Sequence, residues 1–292
     1  MSKVECVFKT DALLGEGPIW SVDKKILYWI DILKRELHVF DPSNKTNKTY
    51  SLQQAITSVA LRQKGSLLVT LKKQIAYFDP ETKTLTPICD VEESKPNNRF
   101  NDAKCDRRGR FWAGTMNEKN MKEMTGALYR FDPDGKLTCH QENLSLSNGM
   151  GWSPDNRLFY LVESFKYAIF VYDFDIEKGT LSNKRQFASI DETSGGCPDG
   201  LTVDSQGYVW NAQPGLGRIV RYHPSGKIDE VIEMPVLRPS SCIFGGEHLD
   251  TLFIPTAREL MTEEQLKKYP LSGSLFAIKT GIKGIPESPF SG

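Results

Sequence analysis

Apolar residues in this chain come in short dense runs, and the polar residues between them are turn formers. One pattern recurs along its length: an apolar run, a tight polar turn, then a second apolar run. It reads WSVDKKILYWID from Trp20, LRQKGSLLVT from Leu61 and CDRRGRFWAG from Cys105. It continues as WSPDNRLFYLVE from Trp152, VDSQGYVWNA from Val203 and FGGEHLDTLFIP from Phe244. The turns carry Gly, Asp-Asn or Lys-Lys and lead into β-branched or aromatic residues, which is a β-hairpin signature. A second pattern interleaves with the first: LHVFDPSNKT from Leu37, IAYFDPETKTL from Ile75, LYRFDPDGKL from Leu128, IFVYDFDIEKGTL from Ile169, IVRYHPSGKI from Ile219 and LFAIKTGIKGI from Leu275. Each unit therefore supplies two hairpins.

Six such units, at a period of roughly 40–50 residues, predict an all-β, six-bladed β-propeller with four-stranded blades. One blade cannot bury both its faces alone; packing blades around an axis buries them all and leaves short edges. The first strand, from about Val4 to Thr10, has no partner in its own unit and is expected to close the ring on the last blade. A two-sheet sandwich would not distribute its hairpins so evenly, so residues 1–292 read as a single propeller domain. Helix signals are few. ARELMTEEQLKKYP places Glu263–Lys267 and Glu264–Lys268 at i,i+4, and residues 117–124 read as a short helix or a mobile loop, a candidate lid.

Charge and composition narrow the function. Lys+Arg and Asp+Glu both number 37 in 292 residues, which argues against a broad phosphate-binding surface and hence against nucleic acid. No run of about 18 apolar residues marks a membrane span. MSKVECVFKTDALLG carries charges too early for a secretory signal, so a cytoplasmic location is expected. The six cysteines are scattered without a CxxC pair, which removes a zinc knuckle or thioredoxin-like motif and suggests reduced, buried thiols. No obligate protein partner is implied.

The repeat register exposes candidate chemistry. Four residues before each first-pattern anchor stand Glu16, Thr57, Asn101, Asn148, Asp199 and Ser240, all polar. In a propeller these slots start the innermost strands and ring one mouth of the axial channel. Glycine follows three of them directly, in GEGPIW, SNGMGW and PDGLTV, which permits close backbone approach. Glu16, Asn148 and Asp199 offer two carboxylates and an amide oxygen. Repulsion between the carboxylates would be costly without a cation, and hard oxygen donors suit one divalent ion: Ca²⁺ first, with Mg²⁺, Mn²⁺ or Zn²⁺ as alternatives. The competing reading is that the ring caps strand ends and binds channel water.

Other catalytic sets are weaker. The register places His38, His140, His223 and His248 in or beside surface turns, so a Ser–His–Asp triad lacks its histidine. There is no P-loop, and the GLG at Gly215–Gly217 opens no helix. Trp20, Trp29, Trp112, Trp152 and Trp210 recur at strand positions and read as blade core. Arg238 shares the register slot of Arg99 and could add positive charge at the mouth, but reads as a surface residue.

The strings GEGPIW, RFNDAKCD, AGTM, SNGMGWS, PDGLTVD and SSCIFGG, in that order along essentially the whole chain, resemble the SMP-30/gluconolactonase/regucalcin family. The resemblance implies a six-bladed propeller with a channel metal held by Glu16, Asn148 and Asp199, Asp199 also moving the proton, and with Arg99 and Asn101 contacting substrate. It also implies hydrolysis of a small-molecule sugar lactone to the aldonic acid; a non-catalytic calcium-binding propeller and an esterase with another substrate are the alternatives. The chain departs from the family in reading RFNDAK rather than RFNDGK, and in placing Glu118 or Lys119 where some members carry a substrate-binding Glu.

Overall fold

The computed structural model describes residues 3–292. Its strands form six four-stranded antiparallel sheets. Blade I spans residues 15–51, blade II 56–90, blade III 98–144, blade IV 147–189 and blade V 201–233, each running in chain order from innermost to outermost strand. Blade VI takes three strands from residues 243–279, and its outermost strand is Glu5–Phe8, paired antiparallel with Leu275–Lys279. The innermost strands contact one another in a closed cycle, with blade VI against blade I. The predicted propeller and its N-terminal closure are both present.

Alternate residues of one strand feed two different cores. Leu27 and Trp29 pack at the blade VI–I junction, whereas Tyr28 and Ile30 pack at the I–II junction. Phe111 and Ala113 face blade II, and Trp112 faces blade IV. Burial on both faces is why these strands read as continuous apolar runs rather than as alternating ones. Six apolar clusters result, one per junction. All five tryptophans are buried in them.

Buried aspartates lock the turns that follow the inner strands. Asp204 is fully buried; its Oδ2 accepts from Trp210 Nε1 at 2.9 Å and from Arg221 Nη2 at 2.9 Å, and its Oδ1 accepts from two turn amides. Asp106 does the same in blade III, accepting from Trp112 Nε1 at 3.0 Å and Arg110 Nε at 2.7 Å. A charge this deep is tolerable only when every lone pair is engaged.

The C-terminal residues form a strap on the face opposite the ring of polar residues. Gly284 bridges to Asp204 of blade V, Glu287 pairs with Lys104 of blade III at 3.3 Å, and Phe290 is fully buried, stacked on Phe131. The Gly292 carbonyl accepts from Arg62 Nε of blade II at 2.8 Å. Lys104 also donates to Leu201 O of blade V at 3.3 Å, so its side chain spans the channel interior.

Several expectations need correction. His38 lies within the strand Glu36–Asp41, only 4% exposed, and stacks on Trp29 with ring centroids 4.0 Å apart. His140 lies within the strand Leu137–Leu144, half-buried against Trp112. The antiparallel register places His38 directly opposite Trp29, so the imidazole is a core surface rather than a turn residue. His223 and His248 are exposed in turns as expected. Only Cys105 and Cys242 are buried; Cys139 is exposed and the other three are intermediate. In the 117–124 segment, Asn117 is the buried last residue of its strand, and residues 118–124 form mostly exposed bends and turns rather than a helix. The helix Glu263–Lys268 forms with a Thr262/Gln265 capping box, and Gly215–Gly217 sits in a turn. No helix among the described residues is long and apolar enough to cross a membrane.

Candidate functional site

The ring slots share a local distortion. The pairing register slips between Glu16 and Ile19, Ile56 and Ser58, Phe100 and Ala103, and Ser147 and Met150. A bulge re-aims a side chain out of the pleat, and here it recurs at the polar slot of blades I to IV. In blades V and VI the inner strands begin later, at Leu201 and Ile243, so Asp199 and Ser240 precede regular pairing. Backbone bonds still seat them: Asp199 N donates to Ala212 O at 2.9 Å, and Gly200 N donates to Ser240 O at 2.9 Å.

Glycine lets the blades converge at this level. A Cβ on Gly149 would lie 2.3 Å from Leu201 N, and one on Gly200 would lie 2.6 Å from Ser241 Cα. Any side chain there would push blades IV, V and VI apart and carry Asn148 and Asp199 with them.

The six ring residues divide into two groups. Glu16, Asn101, Asn148 and Asp199 line one cavity of about 320 Å³, and Arg99 lines it too. Thr57 and Ser240 instead serve the scaffold: Thr57 Oγ1 lies 2.8 Å from Thr70 Oγ1, and Ser240 Oγ bonds the Gly15 and Pro255 carbonyls. Leu14, Ile32, Met116, Leu146 and Phe165 supply an apolar wall. A larger groove of about 760 Å³ between blades I and II lies among exposed turns and holds none of the ring residues.

A directed hydrogen-bond chain orients the amides. Arg99 Nη1 donates to Asn101 Oδ1 at 2.8 Å; Asn101 Nδ2 donates to Ser147 O at 3.0 Å and to Asn148 Oδ1 at 3.3 Å; Asn148 Nδ2 donates to Ser164 Oγ at 3.1 Å. Each amide thus has its nitrogen engaged by the protein, and Asn148 Oδ1 keeps a lone pair for the cavity.

The carboxyls are held under electrostatic stress. Burial, then the charges of Asp199 and Asp102, push Glu16 well above its ordinary value. Burial, then Asp102, push Asp199 up to about 8, against the pull of Arg238 and the Asn148 amide. Asp199 Oδ1 is buried with no hydrogen-bond partner. A buried orphan oxygen beside a second repelled carboxyl and an amide oxygen is a site shaped for a hard cation, which would relieve both penalties. The donors therefore fit a divalent ion.

Glu118 sits outside this wall. It is exposed and pairs with Lys72 at 2.5 Å, although its charge still reaches Arg99; Lys119 is exposed beside it. The cavity also receives Ser164, Tyr167 and Glu259, which the repeat register does not single out because they sit between strands, where no periodicity marks them. Arg238, which shares the register slot of Arg99, lines it as well, so its reading as a surface residue is wrong.

Fold and site together define a six-bladed propeller with an oxygen-donor centre at one mouth of its channel. The family model for the SMP-30/Gluconolactonase/LRE-like region matches residues 14–258, and the chain belongs to this family. It is 36% identical to "Putative sugar lactone lactonase YvrE" of Bacillus subtilis, with 97% of each chain covered. It is 33% identical to Regucalcin of Gallus gallus, with 99% of each covered. Among solved structures it is similar to a regucalcin from Agrobacterium tumefaciens described as a calcium-binding protein: TM-score 0.94, 26% identity, covering 99% of this chain and 97% of that one.

Proposed function

We propose that the protein is a lactonase that hydrolyses a sugar lactone to its aldonic acid with the help of one divalent cation. The observation that carries this reading is the convergence of Glu16, Asn148 and Asp199, with the orphaned Asp199 Oδ1, in the same cavity as the Arg99–Asn101 pair. An ion store can use Asn101 to orient the Asn148 amide, but it gains nothing from a guanidinium beside the cation; a substrate site does. The lactonase name carried by the Bacillus subtilis relative supports the same reading.

Glu16, Asn148 and Asp199 would hold the cation, with Ca²⁺ favoured by all-oxygen donors and Zn²⁺, Mg²⁺ or Mn²⁺ as alternatives. When bound, it supplies Lewis acidity toward the ester carbonyl. Asp199 is the proton carrier: its carboxyl has two oxygens, so one would serve the cation while the other accepts the proton of the attacking water and returns one to the ring oxygen. Arg99 offers its remaining guanidinium donors, and Asn101 Oδ1 its second lone pair, to sugar hydroxyls, fixing the ring in place. The apolar wall keeps bulk water from the opened ester.

Base uptake with gluconolactone, xylonolactone and arabinonolactone, measured with each cation and after chelation, tests the proposal. Hydrolysis that needs a cation and is abolished in Asp199→Ala is expected. Failure on every lactone, with Ca²⁺ still bound, would favour the calcium-binding role by which the Agrobacterium tumefaciens relative is described.

A further inference from the structure

Arg99 and Arg238 occupy equivalent slots, each two residues before its ring position, on blades III and VI. Blades three apart in a six-membered ring lie opposite each other, so the two guanidiniums flank the cavity from opposite sides, and both line it. Their surroundings differ. Arg99 Nη1 already donates to Phe100 O and to Asn101 Oδ1, both at 2.8 Å, and the carboxylates of Glu118, Glu259 and Glu16 act on it. Arg238 Nε is buried with no hydrogen-bond partner.

The backbone of Arg238 is pinned. Its carbonyl accepts from Ala257 N at 2.9 Å, and Pro239 bridges to Thr256. A guanidinium on a fixed stem with a buried, unused donor is aimed at something. Asp199 Oδ1 is the other orphan in the same cavity, and the two orphans do not bond each other. Both face the same cavity, and the Arg238 charge already acts on the Asp199 carboxyl.

We infer that Arg238 binds the acyl end of the substrate and the carboxylate that hydrolysis makes of it, so that the pocket is built to hold an aldonate anion. The inference rests on the lactonase reading. In that reaction the water oxygen bonds to the acyl carbon and the bond from acyl carbon to ring oxygen breaks. The ring oxygen takes up a proton and becomes a hydroxyl, and one proton leaves to solvent. One negative charge therefore appears at the acyl end. Arg99, already surrounded by carboxylates, is poorly placed to meet it; Arg238 has free donors.

Calorimetric titration of the full-length protein in calcium chloride tests the assignment, using sodium gluconate and the uncharged ring 1,5-anhydroglucitol. Arg238→Met is expected to weaken gluconate binding about 10-fold or more, as loss of a charge-assisted bond implies. It should leave 1,5-anhydroglucitol within about two-fold, and Arg238→Lys should restore part of the gluconate affinity by returning the charge. Unchanged gluconate binding in Arg238→Met overturns the inference. So does an equal loss for both ligands, which marks a structural role, or a native protein that ignores gluconate. Gluconate binding that depends on Arg238 in a protein that hydrolyses no lactone would sink the lactonase reading and leave the anion site standing.

Discussion

Asn101 Nδ2 donates to Asn148 Oδ1 across the junction of blades III and IV, at 3.3 Å. The bond sets which way the Asn148 amide faces, and so whether oxygen or nitrogen meets a cation. Asn101→Leu should weaken Ca²⁺ binding about 10- to 100-fold, the usual effect of removing an outer partner of a ligand. Calorimetry with Ca²⁺ checks this, and unchanged affinity would show that Ser164 alone orients the amide.

Proton release should accompany cation binding. With Asp199 pushed up to about 8 in the metal-free protein, the cation competes with a proton at neutral pH. Its affinity should rise from pH 6 to pH 9 and then level off. The sign for stability is the opposite. A carboxyl raised on folding stabilises fully below its ordinary value of 3.8, and that contribution fades as pH rises through about 8. Chelated protein should therefore melt lower at pH 9 than at pH 6, and Ca²⁺ should remove the decline. Melting curves across pH, with and without chelator, provide the measurement.

Acid should act through a different residue. Burial holds the His38 imidazole down, from 6.5 to about 4. A lowered histidine contributes stability above its unfolded value, and that contribution is lost as pH falls from 6.5 toward 4. The loss at pH 4 is up to about 3 kcal/mol. His38→Gln keeps an acceptor for Asn47 but cannot charge, so its urea-unfolding stability should fall less between pH 7 and pH 4.5 than that of the native protein.

Turn aspartates should matter as much as core tryptophans. Asp204→Ala strands the Trp210 indole N–H and leaves Arg221, itself 7% exposed, without its buried partner. Breaking such a pair costs about 3–5 kcal/mol, equivalent to a drop in melting temperature of roughly 10 °C in a chain of this size. Asp204→Asn should recover part of the loss, because the amide oxygen still accepts from the indole. Calorimetric melts of both variants decide this.

Much of the architecture was legible because each blade repeats one hairpin grammar. The polar slot stood out for the same reason: Glu16, Asn148 and Asp199 break an otherwise apolar repeat at one phase. The register could not separate these ligating side chains from Thr57 and Ser240, whose hydroxyls turn toward backbone carbonyls and a neighbouring threonine. Nor could it place Tyr167 and Glu259, which hang on irregular connections. The Asp-Pro turn after His38 suggests surface, whereas its strand partner Trp29 decides its burial. The strap from Gly284 to Gly292 carries almost no apolar period and is held by single anchors such as Phe290 and Lys104–Glu287.

Sheet VI is assembled from both ends of the polypeptide. On the ribosome, Glu5–Phe8 must wait until Leu275–Lys279 has emerged, and the five sheets made earlier meanwhile keep an open flank. Ring closure therefore waits for the pairing most distant along the chain, and until it forms the open flanks of the earlier blades are the surfaces most exposed to wrong partners.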